Sequence, residues 1–212
     1  MKKVLLWLVF VGFLSLPLTA QDSSKSEIFG GFQFGHISSI HTYDPYLAKA
    51  DNNNTSVTVN GVGWEGTYTF HVSKQLGVSA DFSGTYGGST ISEGTGSLGG
   101  GTLAPVKYKM KVYTLAFGPV YYFNSQGKFK PYAHVLIGGG GTFGTACSSG
   151  IPCAPSLDGL GGVVAFIGGG ADMDFKKKMS IRVAQFDWFY SYGEYNSGMG
   201  NVRISAGIVY HF

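Results

Sequence analysis

Residues 201–212, at the end of the chain, constrain the fold more than any other stretch. In an extended strand, successive side chains point to opposite faces. One face of this stretch is entirely apolar and ends in Tyr210 and Phe212, while the other is mostly small or polar and carries Arg203. Such strict alternation predicts a β-strand that separates an apolar environment from a polar one.

The same alternation recurs in seven earlier segments, which predict seven more strands. In the seventh, the period changes: Gln185 and Asp187 fall on the apolar parity, and Phe186 and Trp188 fall on the polar one. The change indicates a β-bulge near residues 184–185. If these strands cross a membrane, the alternative is that the seventh strand leaves the membrane there. The earlier segments are residues 27–36, 60–72, 76–86, 107–123, 130–142, 161–174 and the stretch that begins at 181.

The connections between these segments alternate in length. Short turns are predicted at residues 73–75, 124–128 and 175–179, and longer loops at 37–57, 87–105, 143–160 and 191–200. Strands joined alternately by short and long connections are typical of small outer-membrane barrels. The sequence therefore predicts an all-β fold, an eight-stranded antiparallel up-and-down transmembrane β-barrel. The short turns would face the periplasm and the long loops the outside.

The N-terminus predicts export. Lys2 and Lys3 precede an apolar run at residues 4–16, and Ala20 offers a small residue for cleavage. We expect a signal peptide at residues 1–20 and the barrel domain at 21–212. Without Lys2 and Lys3, 13 of the 15 basic residues remain against 12 acidic ones, a net charge of +1. This balance gives no reason to expect nucleic acid as a partner.

Alternation alone does not decide which face meets lipid, since a soluble lipocalin-like barrel would show the same period with its apolar face inward. Two observations favour the membrane. Tyr and Trp residues lie near strand ends on the apolar faces, where interfacial girdles are expected, and the polar faces carry fewer charges than a water-exposed surface. The girdle residues are Trp64, Tyr68, Tyr86, Tyr113, Tyr121 and Tyr210.

The few charges on the polar faces would then lie in the lumen. Buried charges must be paired, so a salt-bridged plug is expected, with an ion path as the alternative. Arg203 would have Glu65, Asp81 or Asp172 as partners. The predicted lumenal network consists of Glu65, Asp81, Asp172, Arg182 and Arg203.

Three stretches resemble the OmpA-like family of small outer-membrane barrels. They are residues 169–175 with 181–187, which resemble the sixth and seventh strands, and 129–134, which resembles the opening of the fifth. The closing strand, with its terminal Phe212, resembles those read by barrel-assembly machinery. The resemblance implies location in the bacterial outer membrane. It implies as partners membrane lipid and lipopolysaccharide, the assembly machinery and periplasmic chaperones. The peptidoglycan-binding domain of full-length OmpA is expected to be absent.

Other candidate chemistry is weak. Cys147 and Cys153 are spaced for a small disulfide ring in an oxidising compartment. The five histidines have no chelating spacing, so neither metal nor cofactor is expected. His36 and Ser38 fit a lipid A deacylase-like H-x-S-N motif only in part, because Ser39 stands where Asn is required. We therefore expect a non-enzymatic barrel with a structural or surface-interaction role and an unknown extracellular ligand. A narrow pore, an adhesin acting through its loops and a lipid A-modifying enzyme remain as alternatives.

Overall fold

The structure is a computed structural model that describes residues 26–42, 55–91, 106–124, 127–148, 151–192 and 197–212. The predicted signal peptide and the central parts of the long predicted loops lie outside these residues. Within the described ranges, no helix is long and apolar enough to cross a membrane.

The described residues form a closed barrel in which each strand pairs antiparallel with the next and the last pairs with the first. The prediction of an eight-stranded antiparallel up-and-down barrel is therefore confirmed. The strands are β1 Ser26–Thr42, β2 Thr55–His71, β3 Leu76–Ile91, β4 Val106–Tyr122, β5 Phe129–Ser148, β6 Ile151–Lys176, β7 Met179–Tyr192 and β8 Ser197–His211.

Closure joins the two ends of the described chain. β8 pairs with β1 from His211 opposite Glu27 to Val202 opposite His36, and the Phe212 amide donates to the Ser26 carbonyl at 2.9 Å. The β2–β3, β4–β5 and β6–β7 connections lie at one end of the barrel, which we call the short-turn end. The other four connections lie at the opposite end, which we call the long-connection end. Two of these four are shorter than predicted, because only residues 149–150 separate β5 from β6 and only residues 193–196 separate β7 from β8. A closed barrel leaves no unpaired strand edge.

The apolar faces point outward. Phe32 is 85% exposed, Val62 66% and Ile137 63%, although these are large apolar side chains. On β4, the outward residues run from Tyr113 to Tyr121, eight positions apart. At about 3.4 Å per residue and a tilt of about 40°, this stretch spans about 20 Å along the barrel axis. We call this outward apolar surface the belt.

Strand β7 contains the predicted bulge. Asp172 and Ala171 are adjacent on β6 but face Arg182 and Ala184, so Val183 is an extra residue on β7. The pairing of β7 with β8 shifts over the same residues. The extra residue reverses the alternation, which turns Gln185 and Asp187 inward and leaves Phe186 and Trp188 outward.

The strands continue beyond their predicted ends. The prediction of a loop at residues 143–160 is wrong for most of that stretch, because β5 and β6 remain paired up to Ser148 opposite Ile151. Backbone hydrogen bonding between strands needs no alternation of apolar and polar side chains, so the pairing of β5 with β6 extends past the belt. The disulfide between Cys147 and Cys153 lies near the tip of this long hairpin.

Candidate functional site in the barrel lumen

Arg203 forms the centre of one ionic cluster in the lumen. Its guanidinium donates to Asp81 Oδ1 from Nη1 at 2.9 Å and contacts Asp187 Oδ2 from Nη2 at 2.6 Å. Glu65 Oε2 lies farther away, at 3.6 Å from Nε. Arg203 and its three acidic neighbours are each at most 3% exposed. Strands β2, β3, β7 and β8 are thus joined across the interior by one cation.

Arg182 forms a second cluster, with a bidentate contact to Asp172. Nε donates to Oδ1 at 2.8 Å and Nη2 to Oδ2 at 3.1 Å, the paired geometry that a planar guanidinium favours. The same guanidinium packs between two aromatic rings, 4.3 Å from the centroid of Phe29 and 4.5 Å from that of Tyr132. These rings keep Arg182 in a dry environment, where a paired charge interacts more strongly.

Gln185 connects the two clusters. Its Oε1 accepts from Arg182 Nη1 at 2.8 Å and from the Tyr132 hydroxyl at 2.7 Å. Its Nε2 donates to Glu65 Oε1 at 2.7 Å and to Asp187 Oδ2 at 2.8 Å. An amide can donate and accept at once, so Gln185 serves both a cation and two carboxylates. The network therefore runs continuously through the middle of the barrel.

Toward the short-turn end, Glu27 collects a third group of polar side chains. Its Oε2 lies 3.2 Å from His71 Nε2 and 3.4 Å from His211 Nδ1, and the Tyr122 hydroxyl donates to its Oε1. Glu27 is 3% exposed, so these contacts replace the water that a carboxylate would otherwise bind.

Toward the long-connection end, the lumen contains a buried apolar cluster, in which the ring centroids of Phe166 and Phe189 lie 5.0 Å apart. Buried polar side chains lie at the same end, where Asn201 Nδ2 donates to Ser191 Oγ at 3.0 Å. The Arg203 guanidinium carbon lies 4.7 Å from the centroid of Phe166, so the ionic and apolar layers are in contact. The alternation predicted a polar lumen, but part of the lumen is apolar. The cluster consists of Ile37, Val59, Met110, Ala116, Leu136, Val164, Phe166 and Phe189.

Carboxylates outnumber arginines in this interior. Two buried arginines face five buried carboxylates among the described residues. Three histidines contact these carboxylates: His134 Nε2 lies 2.7 Å from Asp187 Oδ1, and two others contact Glu27. The carboxylates are Glu27, Glu65, Asp81, Asp172 and Asp187.

All five residues predicted for the lumenal network lie inside the barrel, but they fall into two clusters. Asp81 and Glu65 face Arg203, whereas Asp172 pairs with Arg182. Glu27, Asp187, Gln185 and His134 are further members that sequence reasoning did not place in the network. Asp187 and Gln185 could have been found from the change of parity after residue 184, which implies that both turn inward. No group of three or more His, Cys, Asp or Glu in the described residues has metal-binding geometry.

Two solved proteins share this architecture. Neisserial surface protein A (NspA) matches with a TM-score of 0.55 and 12% identity over 91% of this chain and 100% of that one. Ail, the attachment invasion locus protein of Yersinia pestis, matches with 0.53 and 16% over 90% and 100%. Ail in complex with the heparin analogue sucrose octasulfate matches with 0.52 and 15% over 89% and 99%. No protein-family model and no curated protein sequence matches the chain. The fold is therefore that of small eight-stranded outer-membrane barrels.

Proposed function

We propose that the chain is an integral outer-membrane barrel of the OmpA-like kind, non-enzymatic, with a structural or surface-interaction role. The observation that carries this proposal is the inversion of polarity between its two surfaces. Phe32 is 85% exposed, whereas Asp187 is 0% and Arg203 3% exposed. Contiguous exposed apolar surface is unfavourable in water and favourable against lipid.

Topology and partners follow from the same proposal. Residues 1–20 would be removed after export, and the long connections would face the outside. The closing strand, with Tyr210 and Phe212 outward, would be presented to the assembly machinery after escort by periplasmic chaperones. Membrane lipid and lipopolysaccharide would then surround the belt.

The proposed lumen is a plug rather than a pore. The apolar cluster lies toward one end of the interior, and the network from Glu65 to Arg182 through Gln185 crosses its middle. An eight-stranded barrel is just wide enough for side chains to fill. Moving an ion through would require breaking buried pairs, which is costly.

We expect the full chain, refolded into lipid vesicles, to migrate as a compact form in unheated gels and more slowly after boiling. We also expect the vesicles to remain as impermeable to small sugars and salts as protein-free ones, because the lumen is filled. Absence of the compact form, or failure of the cellular protein to fractionate with the outer membrane, would contradict membrane insertion. Steady swelling or single-channel conductance would instead identify a narrow pore.

Among the described residues, the β5–β6 hairpin is the part best suited to a surface contact. Its two strands are the longest in the barrel, 20 and 26 residues, and they extend past the belt at the long-connection end. The disulfide joins Cys147 and Cys153, which are six positions apart, into a small ring near the tip. Ail, whose name describes attachment and invasion, has the same fold. An adhesin-like role would therefore act through this hairpin.

Replacing both cysteines by serine is expected to change the barrel's unfolding free energy by no more than about 0.5 kcal/mol, because the bridge lies outside the belt. Cleavage by protease between residues 143 and 160 should become faster, since the ring no longer limits local opening. Limited proteolysis in vesicles measures this, with reduced wild-type protein as the matched control. A large loss of barrel stability would mean that the bridge supports the barrel itself.

A further inference from the structure

Three lysines form a ladder on the outer surface of β4, at its long-connection end. Lys107, Lys109 and Lys111 alternate along the strand, and all three are exposed. They share the outward parity of Tyr113, so they continue the lipid-facing surface of β4 beyond the belt. Spacing of two residues places successive ammonium stems about 7 Å apart. We call these residues the lysine ladder.

An aromatic cluster lies at the end of the belt that adjoins the lysine ladder, and it consists of Trp64, Tyr86, Tyr113 and Phe143. The Trp64 indole N–H donates to the Tyr86 hydroxyl at 3.1 Å, and the Tyr113 hydroxyl donates to it at 3.4 Å. The ring of Phe143 packs beside that of Tyr113, with the two centroids 6.1 Å apart. Tyr and Trp gather at the boundary between lipid chains and headgroups. Lys111 pairs across the strands with Tyr86 and Phe143, so it lies next to this boundary.

The ladder has no acidic cross-strand neighbours. The residues opposite Lys109 are Gly88 and Thr145, and those opposite Lys107 are Thr90 and Cys147. Among the residues whose side chains the structure describes, no carboxylate lies within ion-pair distance of the three ammonium groups. Elsewhere in the barrel, Lys130 is paired with Asp174 at 2.7 Å. Within that part of the chain, the ladder is therefore a strip of positive charge without an acidic partner, next to the aromatic boundary of the belt.

We propose that the lysine ladder binds the phosphate groups of lipopolysaccharide in the outer leaflet, with the aromatic cluster fixing its depth. This inference rests on the proposed membrane location and on the long connections facing outward. Lysine ammonium groups bind phosphate as point charges and need no fixed fork geometry. A lipid is favoured over a soluble polyanion because the lysine ladder lies on the side of the barrel, directly beyond the belt, and not at the tips of the long connections.

The test measures retention of diphosphorylated lipid A by the full chain, refolded in detergent, with native mass spectrometry. Each lysine near an anionic membrane surface contributes about a fivefold factor in affinity, so K107Q/K109Q/K111Q should bind about 100-fold more weakly. Dephosphorylated lipid A should bind the wild type as weakly as that variant binds the phosphorylated lipid. K107R/K109R/K111R should keep the affinity, because it keeps the charge.

The matched control removes the same charge from the opposite end of the barrel. Lys176, Lys177 and Lys178 are exposed at the β6–β7 turn, and K176Q/K177Q/K178Q should bind lipid A within about threefold of wild type. An equal loss in this control, or none in the ladder variant, would overturn the proposal. It would also be overturned if the ladder variant lost binding to a sulfated oligosaccharide but not to lipid A.

Failure of this inference can be told from failure of the proposed function. A wild-type chain that gives the compact, heat-modifiable form in vesicles but shows no phosphate-dependent retention would refute the ladder alone. A chain that does not insert would refute the membrane location itself. If the triple variant does not fold, the single variants K107Q and K109Q, each expected to weaken binding about fivefold, decide the question.

Discussion

Replacing Arg203 by methionine should lower the barrel's free energy of unfolding by about 3–5 kcal/mol, the cost of leaving buried charges without their partner. Asp81 and Asp187 receive hydrogen bonds from this guanidinium, and Glu65 lies 3.6 Å from it. Methionine has a similar length but no charge, so three carboxylates would remain together in a dry interior. Urea unfolding in lipid vesicles, followed by tryptophan fluorescence, measures the loss.

Two further variants separate charge from packing. K178M removes a cation from an exposed turn and should change stability by no more than about 0.5 kcal/mol. R203M/D81N/D187N removes two of the uncompensated charges, and it should recover part of the lost stability, because the destabilisation comes from charge and not from volume. If R203M unfolds like wild type, the cluster around Arg203 is not needed to hold the barrel closed.

Phe117→Arg should destabilise the inserted barrel by about 2–4 kcal/mol, the cost of arginine at the middle of a bilayer. Phe117 is 51% exposed and lies midway between Tyr113 and Tyr121 on β4. In a soluble barrel the same change would place a charge on a wet surface and would cost little. Urea unfolding in vesicles again gives the measurement.

Phe123→Arg is the matched control for this prediction. Phe123 is 60% exposed and lies beyond Tyr121, just after the end of β4. The cost should fall to about 0–1 kcal/mol, because an arginine at the interface reaches the headgroups. Equal costs at the two positions would mean that the bilayer does not end where the aromatic residues place it.

The barrel could be predicted from sequence because its two environments impose period 2 on every strand. Outward Phe117 and inward Arg203 follow directly from that period. Even the bulge at Val183 leaves a signal, since Gln185 and Asp187 fall on the parity of the apolar residues that precede the bulge. At the long-connection end, the strands were predicted to be shorter than they are. Pairing continues where the environment no longer demands alternation, as between β5 and β6 up to Ser148.

The pairing of charges could not be predicted in the same way. Alternation places Arg182 and Arg203 in the lumen, but which carboxylate each meets depends on strand register and on reach across the interior. Asp81 lies 122 positions from Arg203, and Gln185 lies 120 from Glu65. The apolar cluster around Phe166 could not be predicted either, because a few apolar residues on a mostly polar face leave the alternation of the strand unchanged.

The span of these contacts along the chain has a consequence for assembly. Arg203 is on the last strand, and its partners Asp81 and Asp187 are on the third and seventh. An open sheet that lacked β8 would hold those carboxylates without their cation, and lipid offers no water to solvate them. Neutralisation therefore coincides with the joining of β8 to β1. In the proposed membrane location, a barrel without β8 would carry these unpaired charges into the bilayer, so we expect insertion and closure to occur together.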